Sequence, residues 1–232
     1  MKYITCKECK RKDVKNCARG LCWRCYSRLY QSGKLKPLEK PLTPDKFTDI
    51  QEQILIGLLL GDGCVFRLKE THNSYLRVQR KLEDKKYNEW LYEEFKNFCN
   101  SGVKESSHYN KDTNKNYPNC SFKTRLLPIF NSYREKWYVN KIKIAPQDLI
   151  LTPLIMAVWF CDDGSIFASN PNVPHRMGME LSTHGFSEDE VKFLINLLCE
   201  KLHENFYLCK GKGKFFIKGA DSATIPINQI GR

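Results

Sequence analysis

An apolar segment occurs twice in this sequence, and each copy ends in an aspartate followed by a glycine. The first copy, DIQEQILIGLLL, leads to Asp62-Gly63, and the second, LIMAVWFC, leads to Asp163-Gly164, which lies 101 residues later. Both segments are apolar on every side, which predicts helices that are buried by protein. A period this long indicates two similar subdomains rather than a solenoid of short repeats.

A similar series of elements follows each of these helices. In the first copy, alternating residues predict strands at 64–69 and 75–81, a helix at 84–100, strands near 103–109 and 120–125 around the turn-rich 111–119, and a short helix at 127–137. In the second copy the predicted elements are strands at 165–168 and 177–183, a helix at 187–203, and strands at 206–210 and 214–218. The sequence therefore predicts an α+β fold with two pseudo-symmetric αββαββα repeats and curved antiparallel sheets.

A small basic segment precedes the repeats. Residues 1–36 contain 11 basic and 2 acidic residues, so they carry +9 of the chain's net charge of +12. This excess indicates a polyanionic partner, for which nucleic acid is the first candidate. Three prolines in KPLEKPLTPDKF predict an extended linker at 37–47. We therefore expect a separate basic domain at 1–36, the first repeat at 48–150 and the second at 151–232.

Cysteines are concentrated in the basic segment. Two Cys-x2-Cys pairs supply four thiolates, which is enough to complete a tetrahedral Zn²⁺ site, and their members are Cys6, Cys9, Cys22 and Cys25. Cys17 is a spare that could replace one ligand. The stretch ARGLCWRCYSRLYQSGK resembles the small zinc fingers that accompany endonucleases of phages and mobile elements. Its interleaved basic and aromatic residues suit phosphate contacts.

The paired acidic motifs resemble those of a known family. GLLLGDG and AVWFCDDG are similar to the two LAGLIDADG motifs of homing endonucleases, and LTPLIMAVWFCDDGS is close to the LTP…WFxDDG form of the single-chain, two-repeat members. The resemblance covers about residues 48–225. It implies that the two motif helices pack side by side, with Gly57, Gly61 and Ala157 permitting close approach.

The resemblance also implies the chemistry of the site. Asp62 and Asp163 would meet over the scissile phosphates and bind Mg²⁺ (or Mn²⁺), with Gly61 and, in a lesser role, Asp162 as further metal ligands. Two carboxylates at helix C-termini form a hard oxygen site of the kind that Mg²⁺ prefers. Lys143 matches a lysine that polarises the water network in the resembling subgroup, although a solvated loop lysine is an equal reading and Lys141 is an alternative.

Basic and amide side chains on the predicted strands would form the DNA-binding surface. Arginine and glutamine can read base edges in the major groove, whereas lysines mostly contact phosphates. The candidates are Arg67, Lys69, Arg77, Gln79, Lys81, Lys123 and Arg125 in the first repeat, and Arg176, Lys210, Lys212, Lys214 and Lys218 in the second. Ordinary solvated strand faces would explain about half of them.

By this resemblance the chain would be a monomeric, site-specific endonuclease acting in intron homing or another mobile element. It would hydrolyse both strands of double-stranded DNA at a long asymmetric site and leave short 3′ overhangs. Two alternatives remain open: an RNA-binding splicing maturase, and a DNA-binding repressor that has lost cleavage. Retention of both Asp62 and Asp163 favours the endonuclease, because a protein that only binds has no need for paired acids.

Two further expectations concern the ends of the chain and its location. The interval of 81 residues from Asp62 to Lys143, counted on from Asp163, passes the last residue, Arg232, so we expect the second repeat to be C-terminally short. The N-terminus has no apolar core of a secretory signal, and the longest apolar run, at 54–60, is far below the roughly 20 residues of a membrane span. We therefore expect a soluble intracellular protein.

Overall fold

The computed structural model describes residues 3–35, 44–168, 177–211 and 214–219. The chain divides into two compact units, Met1–Leu42 and Thr43–Arg232. The expected shortness of the second repeat concerns residues after 219, which lie outside the described residues, as does most of the predicted linker. Among the helices of the described ranges, none is both long enough and apolar enough to cross a membrane.

The N-terminal unit is a three-stranded antiparallel sheet followed directly by one helix. Its elements, in sheet order, are β1 (Tyr3–Ile4), β2 (Val14–Ala18) and β3 (Leu21–Cys22), and helix α1 spans Trp23–Gln31. Arg19 and Gly20 turn the chain between β2 and β3 with positive φ angles of 56° and 74°. Among residues 3–35 of this unit, the buried ones are Cys6, Leu21 and Cys25. So small an apolar core is insufficient on its own, because units of this size usually need a metal or disulfides.

The second unit contains the remaining helices and strands. The helices are α2 (Asp49–Leu60), α3 (Lys85–Phe95), α4 (Asn131–Trp137), α5 (Pro153–Asp163) and α6 (Glu188–Leu202), with short 3-10 turns at Leu82–Asp84, Lys96–Phe98 and Pro128–Phe130. The strands are β4 (Cys64–Phe66), β5 (Tyr75–Lys81), β6 (Lys104–Asn110), β7 (Lys115–Lys123), β8 (Tyr138–Val139), β9 (Ile142–Lys143), β10 (Gly164–Ala168), β11 (Met177–Ser182), β12 (Phe206–Gly211) and β13 (Lys214–Gly219).

Two four-stranded antiparallel sheets have the same internal order. The first is β4-β5-β7-β6 and the second is β10-β11-β13-β12. In each sheet, the strand before the connecting helix therefore pairs with the strand that comes last in that sheet along the chain. A two-stranded hairpin of β8 and β9 follows the first sheet. This mixed arrangement of helices and antiparallel sheets is the one that the sequence predicts.

Local sequence signals fix the starts of the two motif helices. The side chain of Thr48 accepts a hydrogen bond from Gln51 N, and the side chain of Gln51 accepts one from Thr48 N, which forms a capping box at the start of α2. At the start of α5 the side chain of Thr152 accepts a hydrogen bond from Ile155 N, without a reciprocal bond. Thr152 also donates to Gln53 Oε1 over 2.6 Å, so the cap of one motif helix contacts the first turns of the other. One continuous apolar core includes both helices.

The hairpin of β6 and β7 differs most from its prediction. The sequence favours a turn over 111–119, but β7 already begins at Lys115. The Asn110 side chain accepts hydrogen bonds from Asp112 N and Thr113 N, and Asn114 adopts a φ of 51°, so four residues suffice for the turn. Pro118 is tolerated in β7 because β5 pairs only with residues 119–123, which leaves Pro118 with one neighbouring strand.

Candidate functional site

The two motif helices approach one another unusually closely at glycines of α2. A Cβ atom added to Gly57 would lie 2.7 Å from Val158 Cβ and 2.9 Å from the Ile155 carbonyl oxygen. Val158, rather than the predicted Ala157, therefore faces Gly57, and Ala157 is exposed. A Cβ atom on Gly61 would meet Asp162 at less than normal contact distance. The absence of side chains on α2 thus brings the C-terminal ends of both helices together.

The two motif aspartates lie at these helix ends. Asp62 follows α2 after Gly61, and 51% of its side chain is exposed. Asp163 is the last residue of α5. Burial, and then the negative charge of Asp62, raise the pKa of Asp163 to about 7, while Lys143 and Arg80 oppose the rise. The structure therefore brings the two acids within electrostatic reach of each other, at a place where a further positive charge would stabilise both carboxylates.

Lys143 reaches the loop that carries Asp62. Its ammonium group donates to the carbonyl oxygens of Gly61, over 2.7 Å, and of Gly63, over 3.0 Å. Burial lowers the pKa of Lys143, whereas Cys64 and the aspartates of the site act to raise it. Lys141, the alternative, is exposed and has no such contact among those described. Lys143 thus places a positive charge beside the carbonyl of Gly61, the group predicted as a metal ligand.

The carboxylate of Asp162 contacts residues of the first copy. The Asp162 side chain is fully buried and forms an ion pair with Arg80. One carboxylate oxygen accepts from Tyr87 Oη at 3.2 Å, and the other accepts from the backbone N–H of Asp62 at 3.1 Å. Burial raises the pKa of Asp162 to about 7, and Arg80 opposes that shift. Both carboxylate oxygens of Asp162 therefore already have protein partners, so a metal contact there would use the backbone carbonyl, as at Gly61. That Asp162 binds the metal stays a prediction.

Arg80 and Tyr87 are site residues that the sequence analysis did not identify. Arg80 is only 7% exposed, lies 3.6 Å from an oxygen of Asp62, and stacks 4.8 Å above the Tyr87 ring. A signal was available in β5, where Leu76, Val78 and Arg80 alternate with exposed residues. An arginine in the inward-facing register of a strand requires a buried acid as a partner.

Several predicted DNA-binding residues lie on the exposed face of a sheet. In the first sheet these are Arg77, Gln79, Lys81 and Lys123, and in the second it is Lys214. Lys210 is also exposed, but its pairing with Phe215 places it on the same face as buried Ile217. The register aligns Arg77 with Lys123 across β5 and β7. Asp62, Gln79 and Lys81 also line one cavity of about 330 Å³, together with His108 and Tyr117. The aspartate therefore opens onto the same polar face as the basic side chains of the first sheet.

Other predicted DNA-binding residues have protein partners or lie elsewhere. Arg67 pairs with Glu135 at 2.9 Å, and Lys218 pairs with Glu180 at 3.5 Å. Arg125 lies beyond the end of β7 and donates to the carbonyls of Asn97 and Phe98. These contacts make Arg67 and Arg125 parts of the fold rather than of an open surface. Lys69 is exposed but lies in the loop after β4, and Arg176 and Lys212 lie outside the described residues.

The four predicted cysteine ligands form one cluster in the N-terminal unit. The sulfur atoms of Cys6, Cys9, Cys22 and Cys25 all lie within 4.8 Å of one another. Cys9 and Cys22 are 3.9 Å apart, close to the roughly 3.8 Å edge of a tetrahedron with Zn–S bonds of about 2.3 Å. Backbone N–H groups of Cys22 and Cys9 lower the pKa of Cys6 to about 6, which favours the metal-binding thiolate. Cys17 is exposed and does not belong to the cluster.

The second unit is similar to known proteins over most of its length. The sequence profile of the LAGLIDADG DNA endonuclease family matches residues 52–224. A probable intron-encoded endonuclease of Wickerhamomyces canadensis is 30% identical over 170 residues, which are 71% of each chain. A cytochrome b mRNA maturase of Debaryomyces hansenii is 26% identical over 167 residues, or 70% of this chain and 57% of the maturase.

A solved structure shows the same fold. The homing endonuclease I-WcaI, bound to its DNA recognition sequence, matches with a TM-score of 0.68 and 25% sequence identity, over 90% of this chain and 84% of that one. This chain spans just over half the length of the first curated relatives it matches.

Proposed function

This chain belongs to the LAGLIDADG DNA endonuclease family, and from that premise we propose that it is a site-specific, metal-dependent endonuclease of double-stranded DNA. It hydrolyses one phosphodiester bond in each strand of a long asymmetric site and leaves short 3′ overhangs. It acts as a monomer, because a single chain supplies both motif aspartates. The product is the double-strand break that intron homing or another mobile element requires.

The observation that carries this proposal is the meeting of Asp62 and Asp163 at the ends of two closely packed helices. Acids at a helix C-terminus face the negative end of the dipole, and two of them repel one another. Stability alone does not favour that arrangement. The raised pKa of Asp163, to which Asp62 contributes, is the electrostatic sign of the repulsion. A divalent cation relieves it, so the donor set fits Mg²⁺ or Mn²⁺.

In this proposal each residue of the site has a separate role. Asp62 and Asp163 hold the ion through their carboxylate oxygens, and the ion supplies a Lewis acid that activates water and balances charge on the phosphate. Lys143, held between the Gly61 and Gly63 carbonyls, adds a fixed positive charge that stabilises negative charge on the phosphate and the attacking water. The exposed basic residues of the two sheets hold the DNA over the helix ends.

The N-terminal unit is proposed as a Zn²⁺ finger that adds DNA affinity. Its four sulfur atoms match the size of a tetrahedral site, and its apolar core is too small to stabilise the unit alone. Arg11, Arg24 and Arg28 line a cavity of about 260 Å³ beside the cysteines. Arginines in that position contact backbone phosphates in the absence of base recognition.

The proposal is tested on a plasmid that carries the uninterrupted form of the gene in which this reading frame is inserted. We expect linear product with Mg²⁺ and none with EDTA. Asp62→Asn and Asp163→Asn should each abolish cleavage while DNA affinity stays within about tenfold of wild type. Asp148→Asn, at an exposed acid paired with Lys136, is the matched control and should cut normally. Undiminished cutting by either motif variant would refute the assignment.

A maturase is the second candidate, because the 26% identity to the cytochrome b mRNA maturase extends over 70% of this chain. A maturase would bind its own intron RNA and accelerate splicing. Incubation of the protein with the labelled precursor RNA, beside the plasmid assay, separates the two functions. Splicing that survives Asp62→Asn would assign the RNA activity to a different part of the surface.

A further inference from the structure

The two motif helices differ at the residue that precedes each catalytic aspartate. At the end of α2 this residue is the cap, Gly61, which has no side chain, and in α5 it is Asp162. The Asp162 carboxylate lies against Gly61, in the space that a side chain on Gly61 would occupy. One helix therefore inserts an acid into the end of the other, and the reverse contact does not exist.

The inserted carboxylate is held by residues of the first copy on both of its oxygens. Oδ2 accepts the backbone N–H of Asp62 at 3.1 Å. Oδ1 accepts a hydrogen bond from Tyr87 Oη at 3.2 Å and forms an ion pair with the Arg80 guanidinium. The side chain of Asp162 is fully buried, and that of Arg80 is 4% exposed. Buried hydrogen bonds to charged groups are strong and directional, so this contact fixes the backbone at Asp62.

Arg80 extends the contact to the reacting group itself. Its second terminal nitrogen lies 3.6 Å from Oδ2 of Asp62, whose side chain is otherwise half exposed. The same guanidinium thus bridges a buried acid of the second copy and the exposed acid of the first. The Tyr87 ring, 4.8 Å below, holds the guanidinium plane.

We propose that Asp162 is a positioning residue that orients Asp62 across the helix interface, with Arg80 as its counter-charge. The inference rests on the proposed function only in treating Asp62 as a metal ligand. It makes the site one-sided, because Gly61 cannot return the interaction to Asp163. Substitutions of Asp162 or Arg80 should therefore slow cleavage most on the DNA strand that depends on Asp62.

Asp162→Asn tests the proposal with little change in shape. A carboxylate offers one oxygen to the Asp62 N–H and the other to Arg80 and Tyr87, whereas an amide has a single acceptor oxygen and must give up one side. We expect faster hydrogen exchange at the Asp62 amide, measured by NMR on metal-free protein. We also expect about ten- to hundredfold weaker binding of Mn²⁺, measured by electron paramagnetic resonance. Asp148→Asn, the same change in an exposed ion pair, should alter neither.

Cleavage of DNA labelled separately on each strand provides the functional readout. We expect Asp162→Asn to slow one strand by about ten- to hundredfold and the other by less than about threefold. Tyr87→Phe removes one hydrogen bond but keeps the ion pair, so it should show the same inequality with a smaller loss. This variant decides the question if Asp162→Asn does not fold.

Equal slowing of both strands, or an unchanged Asp62 amide, would overturn the positioning role and leave Asp162 a residue of structural importance only. Absence of cleavage by the wild-type protein would count against the endonuclease instead. In that case the Asp62 amide and the Mn²⁺ affinity still decide whether Asp162 positions Asp62.

Discussion

Substitution of Gly57 by alanine tests the close helix contact on which the site depends. The new methyl group would lie 2.7 Å from Val158 Cβ, 2.8 Å from Val158 Cγ1 and 2.9 Å from the Ile155 carbonyl oxygen. None of these atoms belongs to the end of a flexible side chain, and one is backbone. The helices must therefore separate to admit the methyl group, and the separation reaches the aspartates at their ends.

The expected loss is set by two opposing effects. Overpacking of a well-packed core typically costs about 1–3 kcal/mol, and alanine recovers up to about 1 kcal/mol of helix propensity relative to glycine. Because three contacts below 3 Å arise at once, we place the overpacking cost at the upper end and expect a net loss of about 2 kcal/mol. In a unit of this size that lowers the melting temperature by about 4–8 °C.

Urea unfolding followed by tryptophan fluorescence provides the measurement, because Trp137 and Trp159 are buried in the core of the second unit. Gly185→Ala is the control, since a Cβ atom there would meet nothing within 4 Å. Val158→Ala removes one of the clashing atoms, so the double variant with Gly57→Ala should lose less than the sum of the single losses. A Gly57→Ala protein as stable as the Gly185→Ala control would show that the helices are not held as closely as described.

The remaining predictions concern charge and metal content. Burial and Asp62 raise the pKa of Asp163 to about 7. Because a bound metal must displace the proton of the Asp163 carboxyl group, Mn²⁺ affinity should fall about tenfold per pH unit below pH 7 and level off above it. Calorimetry measures this affinity. The unfolded chain releases the same proton near pH 4, so metal-free wild-type protein should lose more stability than Asp163→Asn as the pH rises from 4 to 7; equal losses would exclude the shift. Deletion of residues 1–36, which carry +9 of the +12 charge, should weaken DNA binding and flatten its salt dependence, and the full chain should contain about one zinc ion by mass spectrometry. Lys143→Met should slow cleavage without loss of DNA binding. Lys136→Met, which removes a lysine from an exposed ion pair, should leave the cleavage rate unchanged.

Much of the fold follows from local pattern. The paired motifs identify the family, and the alternation in β5 correctly separates buried Leu76 and Val78 from exposed Arg77 and Gln79. Capping signals at Thr48 and Thr152 place the helix starts within a residue. These features depend on neighbours in the sequence, and periodicity reports them directly.

The partners within the site could not be derived in the same way. In the pair Asp162-Asp163, the rotation of α5 decides which carboxylate enters the interface, and the space for it is created by Gly61, 101 residues earlier. Arg80 lies in β5 and pairs with Asp162, whereas Arg125 lies just beyond β7 and donates to the carbonyl of Asn97. Each partner comes from a distant segment of the chain. Such pairings are set by tertiary packing, which a single sequence does not encode in its spacing.

The contact between α2 and α5 also limits how the two halves of this chain can be exchanged. Gly57 and Gly61 of the first half correspond in the motif to Val158 and Asp162 of the second half. Val158 and Asp162 fill the space that side chains on the two glycines would occupy. Two first halves brought together would leave gaps along the seam, and two second halves would force valine against valine and carboxylate against carboxylate. The two halves are therefore not equivalent where α2 and α5 meet. A chimaera with a relative must therefore transfer both helices together.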